Sequence, residues 1–118
     1  MFSKKDLERY SRQIILKKIG ILGQKKIQSS KVLVIGCGGF GTPVVDLLSR
    51  AGIGQIGIMD DDKVSLSNLH RQVMFTTKDI GKYKVRILEK KIDKINKSVK
   101  IKSYREKANE KNLEKILS

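Results

Sequence analysis

The sequence predicts an α/β fold built on a mainly parallel sheet and preceded by a helical N-terminal arm. Three observations carry this. A run of apolar residues, Val32 to Ile35, opens directly onto the glycines of "GCGGFG" (36 to 41), and a helix-like stretch follows. A second short strand, "QIGIMD" (55 to 60), comes after a glycine stop at Gly52 to Gly54 and ends in an acid. Helical and strand-like segments then alternate to the C-terminus, the order from which right-handed β-α-β crossovers build a parallel, Rossmann-like sheet.

Residues 3 to 19 read as the first helix: Ser3 is the N-cap with Asp6 three positions on, and Leu7, Tyr10 and Ile14 follow at helical spacing. That apolar face has little of its own domain beside it, so the arm is expected to pack on a second subunit. A short second helix spans about Gln24 to Ser29. The strand Lys31 to Ile35 leads into a helix from about Gly39, whose Val44, Leu47, Leu48 and Ala51 are expected to lie on the sheet. Pro43 falls in its first turn, where a missing N–H costs nothing. After the second strand comes an irregular polar stretch, 61 to 81, longer than a typical βα connection and therefore read as a functional loop. Val85, Leu88, Ile92 and Ile95 step along a third long helix, residues 99 to 104 alternate as a third strand, and Asn109 to Leu117 form a last helix. Residues 1–30 are thus the helical arm and 31–118 a nucleotide-binding half. The last helix carries Leu113, Ile116 and Leu117, which would need another strand to cover them, and the third strand is left with an open edge that favours association. The fold is expected to be incomplete, the N-terminal part of a larger enzyme that is inactive alone; a natural half-size binding domain is the alternative.

Composition narrows the function. The chain carries 26 Lys plus Arg against 12 Asp plus Glu, a formal +14, which suits an anionic partner. The lysines are scattered along the polar sides of helix-like segments, aromatics are few and no nucleic-acid motif appears, so a solvated surface is the better reading. With one Cys and one His there is neither an internal disulfide nor a metal-ligand constellation. No apolar run approaches the length of a bilayer span and "MFSKKDLERY" has no signal-peptide core, which together point to a soluble, cytoplasmic protein.

Glycines between a strand and a helix attract phosphate, because free backbone N–H groups and the helix dipole converge there. Gly36, Gly38, Gly39 and Gly41 occupy that turn, and Asp60 closes the next strand where a carboxylate accepts hydrogen bonds from ribose hydroxyls. Cys37 reads as a small filler of the turn rather than a nucleophile. The loop then presents Ser67, Asn68, Arg71, Gln72 and finally Lys84. Fixed cations beside a phosphate site suit nucleotidyl transfer, in which charge builds on the α-phosphate and the departing pyrophosphate.

At these residues the chain resembles the ThiF/MoeB/HesA group, relatives of the ubiquitin-activating enzymes. "RYSRQIIL" (9 to 16) is similar to the group's RYxRQ motif, "GCGGFG" to GxGGxG and "AGIG" (51 to 54) to AGVG. "DDDKVSLSNLHRQ" (60 to 72) resembles DxDxVxxSNLxRQ, and "IGKYKV" (80 to 85) the GxPKA or GxPKV segment with Tyr83 in place of proline. The resemblance implies ATP-dependent adenylation of the C-terminal Gly-Gly carboxylate of a ubiquitin-like sulfur carrier of the ThiS or MoaD type, in thiamin or molybdopterin synthesis, by a homodimer. It implies that the glycine loop cradles phosphate, Asp60 holds ribose, Asn68, Arg71 and Lys84 contact phosphates with Ser67 and Gln72 adjoining, and Arg12 reaches the γ-phosphate in the partner subunit. His70 is a bystander. Magnesium is expected to take its acid from outside these residues. Two further readings stay open, a non-catalytic nucleotide-binding or dimerisation module and a basic nucleic-acid binder.

Overall fold

The computed structural model describes residues 2–118. The arm is α1 (Lys4–Arg9), α2 (Ser11–Ile14) and α3 (Gly20–Ser29); then come β1 (Lys31–Ile35), α4 (Gly41–Ala51), β2 (Gln55–Met59), α5 (Lys84–Ile95), β3 (Lys100–Tyr104) and α6 (Glu110–Leu117). Short 3-10 turns at Leu66–Asn68 and Thr77–Asp79 punctuate the crossover between β2 and α5. The strands form a three-stranded sheet in the order β1-β2-β3, and both pairings are parallel. Among the described residues no helix is long and apolar enough to cross a membrane.

Strand register separates the two faces of the sheet. Val32, Ile56 and Ile101 are aligned across the strands, as are Val34, Ile58 and Ser103. This face carries the core, where Ile56 and Ile58 are buried against Val45 of α4 and Val85, Leu88 and Ile92 of α5. On the other face Leu33, Gly57 and Lys102 are aligned, and the side chains of Leu33 and Tyr104 close over the glycine: a Cβ there would stand 2.9 Å from Leu33 Cδ1. Ile116 and Leu117 of α6 approach this second face across a groove of about 370 Å³. β1 and β3 are both outer strands, so the open edges expected at the third strand include the first as well.

The covered face of α4 is rotated from the one its apolar spacing suggests. Thr42, Val45 and Ser49 are fully buried, whereas Val44 and Leu47 are 44% and 65% exposed and Phe40, just before the helix, is 92% exposed. The phase is set at the glycine turn where the helix begins. The buried hydroxyls bond within the helix, Thr42 Oγ1 to Gly38 O at 2.6 Å and Ser49 Oγ to Asp46 O at 2.7 Å, so small polar residues meet the sheet without an unsatisfied group. Phe40, Val44 and Leu47, spaced i, i+4, i+7, form an outer apolar stripe.

The arm departs from one long helix. It breaks at Tyr10, and α3 begins at Gly20, in the left-handed region with φ +59°, rather than at Gln24. Ser3 and Asp6 do form the expected capping box. Tyr10 is 1% exposed and its hydroxyl accepts a hydrogen bond from Asn96 Nδ2 at 2.9 Å. Gln13 and Gln24 both donate to Ala51 O, at 2.8 and 3.0 Å, and Arg9 donates to Ile95 O at 3.1 Å. The arm is therefore locked onto its own chain at the C-terminal ends of α4 and α5. Room for the ring comes from Gly52, which ends α4 at φ +92° and at which a Cβ would stand 2.7 Å from Tyr10 Cε1.

Tyr10→Phe, which leaves a buried donor short of a partner, should lower stability by about 1 kcal/mol. Gly52→Ala, combining a left-handed backbone with the overlap, should lower it by about 2–3 kcal/mol. Urea denaturation checks both, and a Gly52→Ala protein as stable as the parent would refute the packing described.

Candidate functional site

The site begins where β1 stops. Gly36, at φ +92°, donates its N–H to Met59 O at 2.8 Å, which keeps the turn against the end of β2. A Cβ on Gly41 would fall on the Gly36 carbonyl, so only glycine lets α4 start this close to the strand end. The N–H groups of Gly38, Gly39, Phe40 and Gly41 have no hydrogen-bond partner among the described residues. Four free donors at the N-terminus of an 11-residue helix, reinforced by its dipole, make an anion seat.

Asp60 lies beside this loop, half-buried. Its carboxylate accepts from Cys37 N and from Asp62 N, each at 2.7 Å, and its own N–H donates to Tyr104 O at 3.1 Å. A carboxylate so bound retains lone pairs for further donors. Asp60 also lines a cleft of about 280 Å³ with Ile35, Gly36, Met59, Asp61 and residues 106–108. Cys37 is fully buried; burial, then the negative Asp60, push its thiol up to about 12 against the opposing pull of Lys84, so it stays protonated and is no nucleophile. One ligand atom each from Asp60, Asp61 and Asp62 lies within 4.8 Å of the others. Each oxygen of Asp60 accepts one backbone N–H, and Asp61 and Asp62 are exposed.

The crossover brings its polar residues back over the glycines. Hydrogen bonds from Val64 N to Lys82 O and from Gly81 N to Val64 O, both 2.8 Å, and from Lys84 N to Asp62 O, 3.1 Å, pinch the two ends of the loop together. Within it, Asn68 Oδ1 accepts from Ser65 N at 2.9 Å and so shapes the first 3-10 turn. Ser67 is exposed, and its carbonyl accepts from Arg71 Nη1 at 2.9 Å and bonds His70 Nδ1 at the same distance. The stem of Arg71 lies along Gly39, with Cγ and Cδ 3.7 and 3.8 Å from where a Cβ would stand. Gln72 is 3% exposed beside Gly38, and its Oε1 is buried without a partner. Lys84, first residue of α5, is 5% exposed, and its ammonium makes no ion pair or hydrogen bond among the described residues.

The structure thus brings together Gly36, Gly38, Gly39, Gly41, Asp60, Arg71, Gln72 and Lys84. Arg12 is not among them. It is exposed on α2, whose neighbouring Gln13 is fixed to Ala51 at the far end of α4, and 11 residues at about 1.5 Å each put that end roughly 16 Å from the glycine loop. Sequence spacing gave no sign of the anchor beneath the loop. Lys91 Nζ bonds Asp79 Oδ2 at 2.9 Å and also the Met74 carbonyl, and Asp79 further accepts from Thr76 N at 2.8 Å. Burial opposes ionisation of Asp79, but Lys91 and Thr76 outweigh it and hold the carboxyl below its ordinary value.

The sequence matches the ThiF family over residues 10–118. The chain belongs to the ThiF family. Among ThiF relatives it is 39% identical over 116 residues to a sulfur carrier protein adenylyltransferase of Thermus thermophilus, covering 98% of this chain and 43% of that protein. It is 44% identical over 97 residues to the sulfur carrier protein ThiS adenylyltransferase of Escherichia coli K12, covering 82% and 39%. Among solved structures, E. coli MccB with AMPCPP and MccA superposes with a TM-score of 0.83 at 33% identity, over 92% of this chain and 34% of that one. The chain spans about two fifths of the length of these curated ThiF relatives. Its Rossmann-like α/β sheet is the family's fold.

The Asp79–Lys91 anchor sets a pH dependence. Because the folded-state value is lowered, its stabilisation is complete above the unfolded carboxyl's pKa of about 3.9 and is lost as pH falls through the lower folded value. Asp79→Asn should remove part of the acid-side loss of stability below about pH 4. Urea midpoints measured across that range should show a flatter profile for the variant; parallel profiles would refute the anchor.

Proposed function

We propose that this chain is the nucleotide-binding part of an ATP-dependent adenylyltransferase that activates the C-terminal Gly-Gly carboxylate of a ubiquitin-like sulfur carrier protein. One observation carries the reading: four free N–H groups of the glycine loop stand beside a buried, unpaired Lys84 and the stem of Arg71. The stem of Lys84 is packed in the chain and its ammonium has no carboxylate partner among the described residues, so it is free to meet an arriving anion. The names of the relatives, which act on sulfur carriers, support the substrate class.

In this reaction a carboxylate oxygen of the carrier attacks the α-phosphorus, the bond to the bridging oxygen breaks and pyrophosphate leaves. The glycine loop and Lys84 hold the phosphates, and Arg71 turns its guanidinium from the Ser67 carbonyl toward them, with Asn68, Ser67 and Gln72 shaping that side. Charge that grows on the leaving group is met by cations already in place. Asp60 takes the ribose at the cleft beyond Gly36. No residue here is assigned to magnesium. Since the neighbouring Gln13 is fixed at the far end of α4 from the glycine loop, Arg12 is assigned to the γ-phosphate of a second subunit in a homodimer. The outer stripe of Phe40, Val44 and Leu47 is an apolar surface that such a partner would cover.

ATP should bind this chain more tightly than NAD, and Lys84→Ala should weaken ATP by about 1.5–3 kcal/mol, the range for a hydrogen bond to a charged group. Calorimetry decides, and tighter binding of NAD would overturn adenylation. Arg12→Ala should weaken ATP but leave AMP unchanged, and only at protein concentrations at which sedimentation shows a dimer. An equal loss for AMP would mean that Arg12 does not act on the γ-phosphate.

A further inference from the structure

Position 83 carries a tyrosine where the resembling segment has proline. Tyr83 is the residue before α5, next to Lys84, and pairs with Lys63 in an isolated antiparallel bridge. Two cations lie over its ring: the guanidinium carbon of Arg105 is 4.2 Å from the centroid and Lys63 Nζ 5.1 Å. Both are within the distance at which a ring face attracts a cation, about 6 Å. Neither Lys63 nor Arg105 has a carboxylate partner among the described residues.

Arg105 opens the segment between β3 and α6, and that segment supplies Glu106, Lys107 and Ala108 to the cleft beside Asp60. No backbone hydrogen bond among the described residues ties 105–108 to the strand ends or to the crossover; Lys107 O is bonded only by Asn112 of α6, at 2.9 Å. Tyr104 O, just before this segment, accepts from Asp60 N, and the contact between Arg105 and Tyr83 is a side-chain link from this wall of the cleft to the far end of the crossover. On the far side of the same residue, Lys84 belongs to the phosphate end of the site.

We propose that Tyr83 is a positioning residue for the nucleoside end of the site: by stacking with Arg105 it holds the 105–108 wall at the cleft, in register with the neighbouring Lys84. This role rests on the nucleotide-binding reading above. It sets the width of the cleft into which the ribose and base fit, and it leaves the phosphate seat to the glycine loop. The aromatic face is the active feature, so phenylalanine serves as well as tyrosine.

The test uses AMP and inorganic pyrophosphate as probes of the two ends, titrated into this chain by calorimetry. Tyr83→Leu, which removes the ring from both cations, should weaken AMP about fivefold, and Arg105→Gln, which removes one, about threefold. Both should bind pyrophosphate within about twofold of the parent, and Tyr83→Phe should match the parent with either probe. The double variant Tyr83→Leu/Arg105→Gln should be no weaker than Tyr83→Leu alone, since the two act as a pair. Unchanged AMP binding by Tyr83→Leu would overturn the role, as would equal losses of AMP and pyrophosphate or a failure of Tyr83→Phe to rescue. A parent chain that binds pyrophosphate but no AMP would overturn the nucleotide reading itself, and this role with it.

Discussion

One steric constraint governs the arrangement: the absence of a side chain at Gly41, where any Cβ would collide with the carbonyl of Gly36. Because α4 starts in contact with the end of β1, its free N–H groups gather at the carboxyl ends of the strands rather than above the sheet. The same contact sets the rotation of the helix. Thr42, Val45 and Ser49 turn inward as a consequence, and Phe40, Val44 and Leu47 outward. The crossover then has a fixed object to fold against, and Arg71 and Gln72 pack beside Gly39 and Gly38.

What could be read from the sequence was what depends on short-range pattern. β1 was legible to the residue because its apolar run is bounded by Lys31 and Gly36, and α5 because Val85, Leu88 and Ile92 repeat at helical period and are all buried. The motifs also singled out Asp60, Arg71, Gln72 and Lys84, which lie near the glycine loop in the fold. The inner face of α4 was misjudged in part, at Val44 and Leu47 though not at Leu48, which packs on the core, and the reason is physical. Two apolar-compatible stripes overlap on that helix, and the one that meets the sheet is made of residues whose hydroxyls are satisfied inside the helix, which hydrophobicity alone undervalues. The break at Tyr10 was hidden for another reason: its cause is a bond to Asn96 and a gap at Gly52, both distant in sequence.

Charge shows the same division between local and long-range causes. A formal +14 says little about where cations act, since most lysines are solvated on the outside. Lys84 differs only through burial, and burial follows from its place as the first residue of α5, where its N–H is held by the Asp62 carbonyl. Lys91 is paired with Asp79 and stabilises the loop, whereas Lys84 has no carboxylate partner among the described residues and stands near the glycine loop.

The bond between Tyr10 and Asn96 joins positions 86 residues apart. A contact of that sequence separation closes a large loop, and its entropic cost is recovered only when the intervening elements are already folded. On a growing chain the arm leaves the ribosome first, yet its docking place at the ends of α4 and α5 is not complete until residue 96 has emerged. The arm is thus made before the surface it docks on and secured only after it, and until then the glutamines and the tyrosine of the arm wait in water for the surface they will seal.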